Sequence, residues 1–196
     1  MVLTEKRLKR FETVLQNRQV DLTAVFENIW DPHNLSACLR SCDAVGILKV
    51  YFVYDGSQRF PKLGDSSSAS ARKWVESELF TDVEECYAKL RSQDFKIYTT
   101  HLASDSKSLY DLNLTEKVAL VFGNEHFGIT ERACELADGN FIIPQVGMIK
   151  SLNISVACAI STYEAFRQRQ VSGFYDKCRL DQEFYDSKLH EWKLRR

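Results

Sequence analysis

The sequence has no long apolar segment. Its hydrophobic residues make up 44% of 196 positions, but no run of them is long enough to cross a bilayer. The basic residues near the start are not followed by the apolar stretch that a signal peptide requires. We therefore expect a cytoplasmic protein that has no membrane partner.

The sequence is also poor in metal-binding and disulfide patterns. None of its six cysteines forms a CxxC pair, and the four histidines are scattered at positions 33, 101, 126 and 190. Cys38 and Cys42 are four positions apart, so they share one face of a predicted helix. We predict that the cysteines are small buried apolar residues and that the protein holds no metal.

Three common catalytic signatures are missing. The chain contains no GxxxxGK[ST] loop and no GxSxG elbow, which excludes P-loop phosphate chemistry and a hydrolase of the nucleophile-elbow type. No GxGxxG opens a first strand-to-helix turn, so a dinucleotide site has little support. The function must come from other loops.

The net charge is only −1, so no overall field attracts nucleic acid. The charge is unevenly spread, however, because basic residues are concentrated at both ends of the chain, at Lys6, Arg7, Lys9, Arg10 and Arg18 and again between residues 167 and 196. Such ends suit arms that contact phosphate. Charge alone leaves a second interpretation open, in which these are solvated helices with mixed charges.

Strand and helix patterns alternate along the chain. Apolar or β-branched runs predict strands at 22–29, 47–54, 95–100, 117–123 and 140–144, and helical spacing predicts helices at 4–18, 35–44, 82–92, 130–137, 152–169 and 181–194. This order predicts an α/β fold with a mostly parallel sheet and helices on both faces. We divide the chain into an N-terminal basic helical arm (1–20), a central domain (21–170) and a C-terminal helical extension (171–196).

Polar loops follow three predicted strands, after Thr100, Gly123 and Pro144. In parallel sheets, ligands bind beyond the carboxyl ends of the strands. The long loop at 55–71, rich in Gly, Ser and Asp, is a further candidate for function. These loops predict a binding site at one edge of the sheet.

A few side chains in these regions have two possible explanations. Glu125, in "FGNEHFG" (122–128), is either a functional carboxylate or a charge that favours the following helix dipole. Ser151 and Asn153 precede an apolar helix, where one of them is enough to cap it. Asn34 is the expected cap of helix 35–44, and Arg40 on that helix is either a ligand contact or a surface residue.

Three segments in order resemble one family. "NLSACLRSCDAVG" (34–46), "VALVFGNEHFGIT" (118–130) and "IIPQVGMIKSLNISVACAISTYEA" (142–165) are similar to the three successive motifs of the SpoU/TrmH branch of the SPOUT RNA methyltransferases. The segments "NRQVDLT" (17–23), "KWV" (73–75), "TTHL" (99–102) and the tail at 173–192 extend the resemblance to the members that act on tRNA. The resemblance covers nearly the whole chain.

The resemblance implies a fold, a cofactor and a site. The fold is an α/β domain with a deep C-terminal trefoil knot, and members are homodimers. The cofactor is S-adenosyl-L-methionine, and the family's cofactor-binding positions fall on Thr100, Leu102, Gly123, Ile143 and Leu152. The family's catalytic positions fall on Asn34, Arg40, Glu125, Ser151 and Asn153. Arg40 resembles the residue to which the family's general-base role is usually assigned, and an arginine could take that role only if RNA binding or its neighbours favoured the neutral form. The other hypothesis is that Arg40 contacts a phosphate and stabilises developing negative charge, with Asn34 and Asn153 orienting it.

The expected reaction is 2′-O-methylation of a tRNA ribose, with the D-loop guanosine at tRNA position 18 as the leading expectation. Another tRNA or rRNA nucleotide, a non-catalytic RNA-binding protein of the same fold, and a nucleotide-dependent enzyme of small molecules are the alternatives. The family's terminal helices contact RNA. We therefore predict RNA contacts from basic residues at the two ends and in the long loop, namely Lys6, Arg7, Lys9, Arg10, Arg18, Arg59, Lys62, Arg72, Lys73, Arg167 and Arg169.

Overall fold

The computed structural model describes residues 3–61, 71–103 and 106–195. Within these ranges, seven strands form one sheet in which every pair is parallel, in the order β3-β2-β1-β6-β4-β7-β5. The strands are β1 (Leu22–Glu27), β2 (Lys49–Val53), β3 (Glu76–Phe80), β4 (Lys96–Thr100), β5 (Lys107–Ser108), β6 (Val118–Phe122) and β7 (Gly139–Ile142). The predicted α/β fold with a parallel sheet is confirmed.

Helices cover both faces of the sheet. They are α1 (Glu5–Gln16), α2 (Pro32–Ala44), α3 (Ala71–Trp74), α4 (Val83–Ser92), α5 (Glu131–Leu136), α6 (Ile154–Val171) and α7 (Gln182–Leu194). One apolar cluster joins the sheet to α2 and α6, and a second joins the opposite face to α4 and α5. The central strand β1 is buried along its whole length, as expected for a strand packed on both faces.

The two terminal helices pack together beside this sheet. Phe11 of α1 contacts Trp192 of α7 and Trp74 of α3, with ring centroids 5.9 and 5.4 Å apart. These aromatic rings belong to a third apolar cluster that also contains Leu15 and Leu189. The N- and C-terminal segments therefore form one structural unit, although they are far apart in sequence.

The structure corrects several predicted boundaries. Helix α2 begins at Pro32, with Asp31 as its cap, so the prediction that Asn34 caps a helix starting at 35 is wrong. Proline is favoured in a first helical turn because its missing N–H has no partner there. The predictions also lacked strands β3 and β5 and helix α3. Of the predicted loop at 55–71, residues 62–70, including Lys62, lie outside the described residues.

Four cysteines are buried, as predicted, whereas Cys134 is half-buried and Cys178 is exposed. Across the described ranges, no helix combines the length and apolar character needed to cross a membrane. Nor do those residues include a group of three or more histidine, cysteine or acidic side chains placed to hold a metal ion.

Candidate active site

The loops that leave the carboxyl ends of β1, β6, β4 and β7 lie side by side, because these four strands are neighbours in the sheet. Large apolar side chains are unusually exposed along this edge, namely Trp30, Leu102, Phe127, Val146, Met148 and Ile149. Exposed apolar residues grouped at one place on a surface indicate a binding site. This is the edge at which the three polar loops predict a binding site.

A chain of hydrogen bonds joins three of the predicted catalytic side chains. Asn34 donates from its amide nitrogen to Glu125 Oε1 over 2.9 Å. Asn153 donates from its amide nitrogen to Asn34 Oδ1 over 3.1 Å. The three segments that carried the resemblance therefore meet here, one residue from each.

Glu125 also holds the beginning of α2. Its carboxylate accepts hydrogen bonds from the backbone N–H groups of Trp30, over 3.0 Å, and Asp31, over 3.4 Å. Burial by itself would raise the pKa of Glu125, but the donors from Asn34, Trp30 and Asp31 hold it below its ordinary value. Glu125 is therefore an ionised acceptor whose main contacts are with this helix start, rather than a charge directed at α5.

The loop that carries Glu125 is a tight turn. Asn124 and Gly128 exchange backbone hydrogen bonds of 2.9 Å, and Gly128 adopts a φ of 73°, which glycine tolerates without strain. A Cβ on Gly123 would lie only 2.4 Å from the Gly128 backbone. The glycines at both ends are needed for the closure of this turn.

Glu27, the last residue of β1, and Asn28, which follows it, hold the two sides of the same turn. Asn124 donates from its amide to the Asn28 carbonyl over 2.6 Å. Beyond the turn, the carboxylate of Glu27 accepts from the backbone N–H and the hydroxyl of Thr130, over 3.0 and 2.7 Å. Burial raises the pKa of Glu27, although the two Thr130 hydrogen bonds oppose that effect. The turn is therefore held rigidly around Glu125.

Asn153 has two roles at once. Its side-chain oxygen accepts from the Ser155 N–H over 2.8 Å and caps α6, while its amide nitrogen binds Asn34. Ser151 is exposed and makes no hydrogen bond among the described residues. Of the two candidate caps, Asn153 is the one used, and Ser151 is left available at the open edge.

Arg40 lies on the exposed side of α2, six residues after Asn34. That separation is about 9 Å along a helix and a rotation of about 120°. Within the described ranges, no hydrogen bond joins Arg40 to Asn34 or Asn153. The expectation that the two asparagines orient Arg40 is therefore not met here, since their amides bind each other and Glu125.

The predicted cofactor positions lie at or beyond the carboxyl ends of three neighbouring strands. Thr100 ends β4 and donates from its hydroxyl to the Val121 carbonyl over 3.0 Å. Leu102 is exposed just beyond it, whereas Ile143 and Leu152 are half-buried after β7 and before α6. Together with Gly123 they border one stretch of the edge. These three apolar side chains can contact the faces of a flat heteroaromatic ring, and the loop backbone beside them can form hydrogen bonds with its edge.

Two of the predicted RNA contacts are wrong. Arg18 is completely buried, and its guanidinium donates to the Ile47 carbonyl and to Asp43 over 2.9 and 2.6 Å. Arg169 is also completely buried and forms an ion pair with Asp21. Neither side chain can reach a phosphate without losing these bonds.

Arg169 uses its whole guanidinium inside the protein. It donates to the carbonyls of Leu114, Asp21 and Glu116 over 2.8, 2.9 and 2.6 Å, and to the side chains of Asp21 and Gln19. Arg179 binds the same Asp21 carboxylate. Arg169 therefore anchors the end of α6 to the starts of β1 and β6.

The other predicted RNA contacts lie on the surface. Lys6, Lys9 and Arg10 are exposed on α1, and the exposed residues Arg59, Arg72 and Lys73 lie in or beside the long loop. Arg7 is half-buried and donates to the Arg195 carbonyl over 3.0 Å. Arg167 is exposed, but it pairs with Glu164 over 2.7 Å. These side chains remain candidates for contact with phosphate.

Sequence reasoning missed Asn28, Asn124 and Trp30 as parts of this edge. Asn28 has a φ of 51°, which asparagine tolerates better than most residues. The available signal was the Asn28–Ile29–Trp30 segment between a strand and a helix that has proline in its first turn. A cavity of about 300 Å³ lies at the opposite edge of the sheet, beside Thr23, Lys49 and Gln93, away from all the polar loops.

Comparison with known proteins identifies the family. Residues 21–163 match the SpoU rRNA Methylase family. The chain is 43% identical to the tRNA (guanosine(18)-2′-O)-methyltransferase of Thermus thermophilus, over 96% of both proteins. It is 36% identical to the 23S rRNA (guanosine-2′-O-)-methyltransferase RlmB of Xanthomonas axonopodis, but it covers only 59% of that protein.

The fold agrees with this assignment. The structure matches the A. aeolicus TrmH/SpoU tRNA modifying enzyme with a TM-score of 0.89 and 36% identity, over 96% of this chain and 95% of that one. The match includes the terminal helices, since it extends well beyond residues 21–163. The chain belongs to the SpoU/TrmH branch of the SPOUT RNA methyltransferases.

Proposed function

We propose that this protein transfers a methyl group from S-adenosyl-L-methionine to the ribose 2′-oxygen of the D-loop guanosine at tRNA position 18. The observation that supports this most is the hydrogen-bond chain through Glu125, Asn34 and Asn153, which unites the three motif segments at the carboxyl edge of the sheet. The relative from Thermus thermophilus, named for this activity, aligns along 96% of the chain.

The residues at this edge fit the methyl donor. Leu102, Ile143 and Leu152 would supply apolar surface for the adenine ring, and the loop backbone after β4, β6 and β7 would supply hydrogen-bond partners for its edge. When bound, S-adenosylmethionine supplies an electrophilic methyl group on a sulfonium. Thr100 and Gly123 border the same part of the edge. Gly123 has no side chain, and the Thr100 hydroxyl is bound to the Val121 carbonyl, so both leave room for a ligand.

Positioning is the main contribution of this chain to the rate, because holding two reactants in the productive geometry removes much of the entropic barrier. Glu125 fixes the start of α2, and Asn34 and Asn153 fix that helix relative to α6. Arg40 extends from α2 into solvent and is free to contact the RNA phosphate beside the reacting ribose. Its guanidinium stabilises negative charge that develops on the 2′-oxygen.

The proton of the 2′-hydroxyl needs an acceptor, and the site residues restrict the choice. A guanidinium group carries only N–H donors and has no acceptor, so Arg40 does not supply one. Glu125 accepts hydrogen bonds from three N–H groups, so its lone pairs are largely occupied. We assign the proton to water at this open edge, with Ser151 available to orient that water or the ribose.

The terminal segments, residues 1–20 and 171–196, act as RNA-binding arms on the central domain 21–170. Their described parts pack on each other through α1 and α7, and Lys6, Lys9 and Arg10 are exposed on α1. Lys73 lies next to Trp74, whose ring contacts both arms. Cations grouped in this way neutralise phosphates and release their counterions.

We also propose that the protein is a cytoplasmic homodimer whose C-terminal segment forms the family's trefoil knot. Val156 and Tyr163 are exposed seven residues apart on α6, so they share one face of that helix. A second copy of the chain would remove this apolar face from water.

The direct test is methyl transfer to unmodified tRNA. Incubation with S-adenosylmethionine carrying a labelled methyl group, followed by mass spectrometry of nuclease fragments, should place the label on the ribose of guanosine 18. Label at another tRNA nucleotide or in rRNA would replace the proposed substrate. No transfer to any RNA, together with retained tRNA binding, would support a non-catalytic RNA-binding protein instead.

A further inference from the structure

We propose that the indole ring of Trp30 is a stacking surface for an unpaired base of the RNA loop that enters the site. This inference rests on the proposed function and adds a substrate contact to it. Trp30 is 62% exposed, whereas the other two tryptophans, Trp74 and Trp192, pack on each other between the arms with centroids 5.0 Å apart.

The backbone on both sides of Trp30 is held in place. Ile29 is completely buried, and its carbonyl accepts a hydrogen bond from the Tyr54 hydroxyl over 2.9 Å. The Trp30 N–H donates to Glu125 Oε2 over 3.0 Å, and Asp31 caps α2. The fold therefore fixes the backbone at Trp30 while the large ring remains in solvent.

The position of Trp30 links it to the catalytic network. One carboxylate, that of Glu125, binds the Trp30 backbone through one oxygen and the Asn34 amide through the other. Asn34 and the backbone that carries this ring are therefore held by the same side chain. No other large aromatic side chain is held by that carboxylate among the described residues.

The chemistry of an unpaired base matches this surface. Bases of single-stranded RNA loops can be unstacked, and they stack on aromatic side chains of proteins. Such stacking does not depend on charge, so the neighbouring Asp31 carboxylate does not prevent it. An exposed ring beside a 2′-hydroxyl site is therefore suited to hold a base while the ribose is methylated.

Three substitutions distinguish stacking from simple apolar contact. Trp30→Phe keeps an aromatic ring, Trp30→Leu keeps apolar surface without a ring, and Trp30→Ala removes both. Leu79→Ala, at an exposed apolar residue on the edge strand β3, is the control. The measurements are methyl-transfer kinetics and binding of unmodified tRNA at one fixed salt concentration, plus binding of S-adenosylmethionine alone.

We expect Trp30→Ala and Trp30→Leu to weaken tRNA binding and raise KM about tenfold, within the range known for loss of one stacked base. Trp30→Phe should stay within about threefold of the unmodified protein, as should Leu79→Ala. Affinity for S-adenosylmethionine and kcat at saturating tRNA should change by less than about twofold in all four. Tryptophan fluorescence should be quenched by tRNA, and that quenching should be largely lost in Trp30→Phe.

Several results would overturn this inference. Normal tRNA binding in Trp30→Leu would show that a ring is not required. A change of oligomeric state on sedimentation of Trp30→Ala would show that a second copy of the chain covers the ring. If the unmodified protein transferred no methyl group to tRNA, the proposed function would fail first, whereas activity that is insensitive to all Trp30 variants would refute only the stacking contact.

Discussion

The side-chain amide of Asn34 lies 2.9 Å from Glu125 Oε1, although 91 positions separate the two residues in sequence. Asn34 belongs to the first turns of α2, and Glu125 belongs to the turn after β6. Since the same carboxylate also binds the Trp30 and Asp31 N–H groups, it acts as an additional cap of α2 from another part of the chain.

Removing that carboxylate should damage both stability and activity. Glu125→Ala leaves three N–H groups without their acceptor, so we expect the free energy of unfolding to fall by about 1–3 kcal/mol and methyl transfer to fall at least tenfold. Glu125→Gln, which keeps one oxygen, should lose less stability. Urea unfolding and transfer assays measure both effects. Glu131→Ala, at an exposed carboxylate on α5, should change neither, and equal stability of Glu125→Ala and the unmodified protein would contradict the capping role.

Arg40→Lys separates the shape of the guanidinium from its charge. Because Arg40 is exposed, the substitution should shift the free energy of unfolding by less than about 0.5 kcal/mol. We expect methyl transfer to fall at least tenfold, since lysine cannot reproduce the planar, bidentate contact with phosphate and oxyanion. Arg132→Lys on α5, whose partners Glu84 and Glu135 lie on the surface, is the control. Near-normal activity of Arg40→Lys would show that the planar, bidentate guanidinium of Arg40 is not required.

Arg167 and Arg169 form a matched pair on one helix. Arg169→Lys keeps the charge but leaves several of the buried carbonyls of Leu114, Asp21 and Glu116 without a donor. Since each unsatisfied buried group costs about 1–3 kcal/mol, we expect the free energy of unfolding to fall by about 3–5 kcal/mol. Arg167→Lys should leave stability within about 0.5 kcal/mol, because surface pairs contribute little. Chemical unfolding of the two variants side by side measures the difference. Similar stability of the two would mean that burial of Arg169 does not matter.

Binding of tRNA should weaken steeply as salt is added. Each phosphate neutralised contributes a slope of about −0.7 to −0.9 to a plot of log affinity against log salt concentration. Lys6→Ala, Lys9→Ala and Arg10→Ala should each weaken binding and make that slope less steep by about the contribution of one phosphate contact. Lys89→Ala, at a lysine of α4 that pairs with Glu78 of β3, is the control and should leave the slope unchanged. Binding that is the same at low and high salt would exclude this basic surface.

Glu27 predicts a dependence of stability on pH. Burial raises the pKa of Glu27 above its ordinary value of 4.5, so on raising the pH the unfolded chain loses its proton before the folded chain does. This carboxyl group therefore lowers the stability of the fold as pH rises from about 4 through its folded pKa. Glu27→Gln does not titrate and keeps an acceptor for Thr130. Its melting temperature relative to the unmodified protein should rise between pH 4 and pH 7, and a constant difference would contradict the raised pKa.

The sequence was most informative about the central strands. Val118–Phe122 is continuously apolar, a pattern that is typical of a strand covered by helices on both faces. Strand β3 was missed because Glu76–Phe80 alternates between half-buried and exposed positions at the edge of the sheet. Whether such a segment pairs depends on its neighbour, Lys49–Val53, and not on its own composition.

In the candidate site, too, the sequence indicated the residues but not the contacts between them. Five site residues came from the resemblance of three motifs, yet the contacts among them depend on loops that the motifs do not describe. Charge could not distinguish Arg167 from Arg169, because burial of Arg169 is set by Asp21, which is 148 positions away. Asn153 could be recognised as a helix cap, but its second bond, to Asn34, is a tertiary contact.

Helix α6 connects two fixed points. Its cap, Asn153, is bound to Asn34 at one edge of the sheet, and Arg169 is bound to the start of β1 at the other. A single residue inserted between them would rotate Asn153 by about 100° and displace it by about 1.5 Å relative to Arg169, so one of the two attachments would break. The number of residues in this helix is therefore constrained in its own right, and variants of this protein can change many of its side chains but not its length.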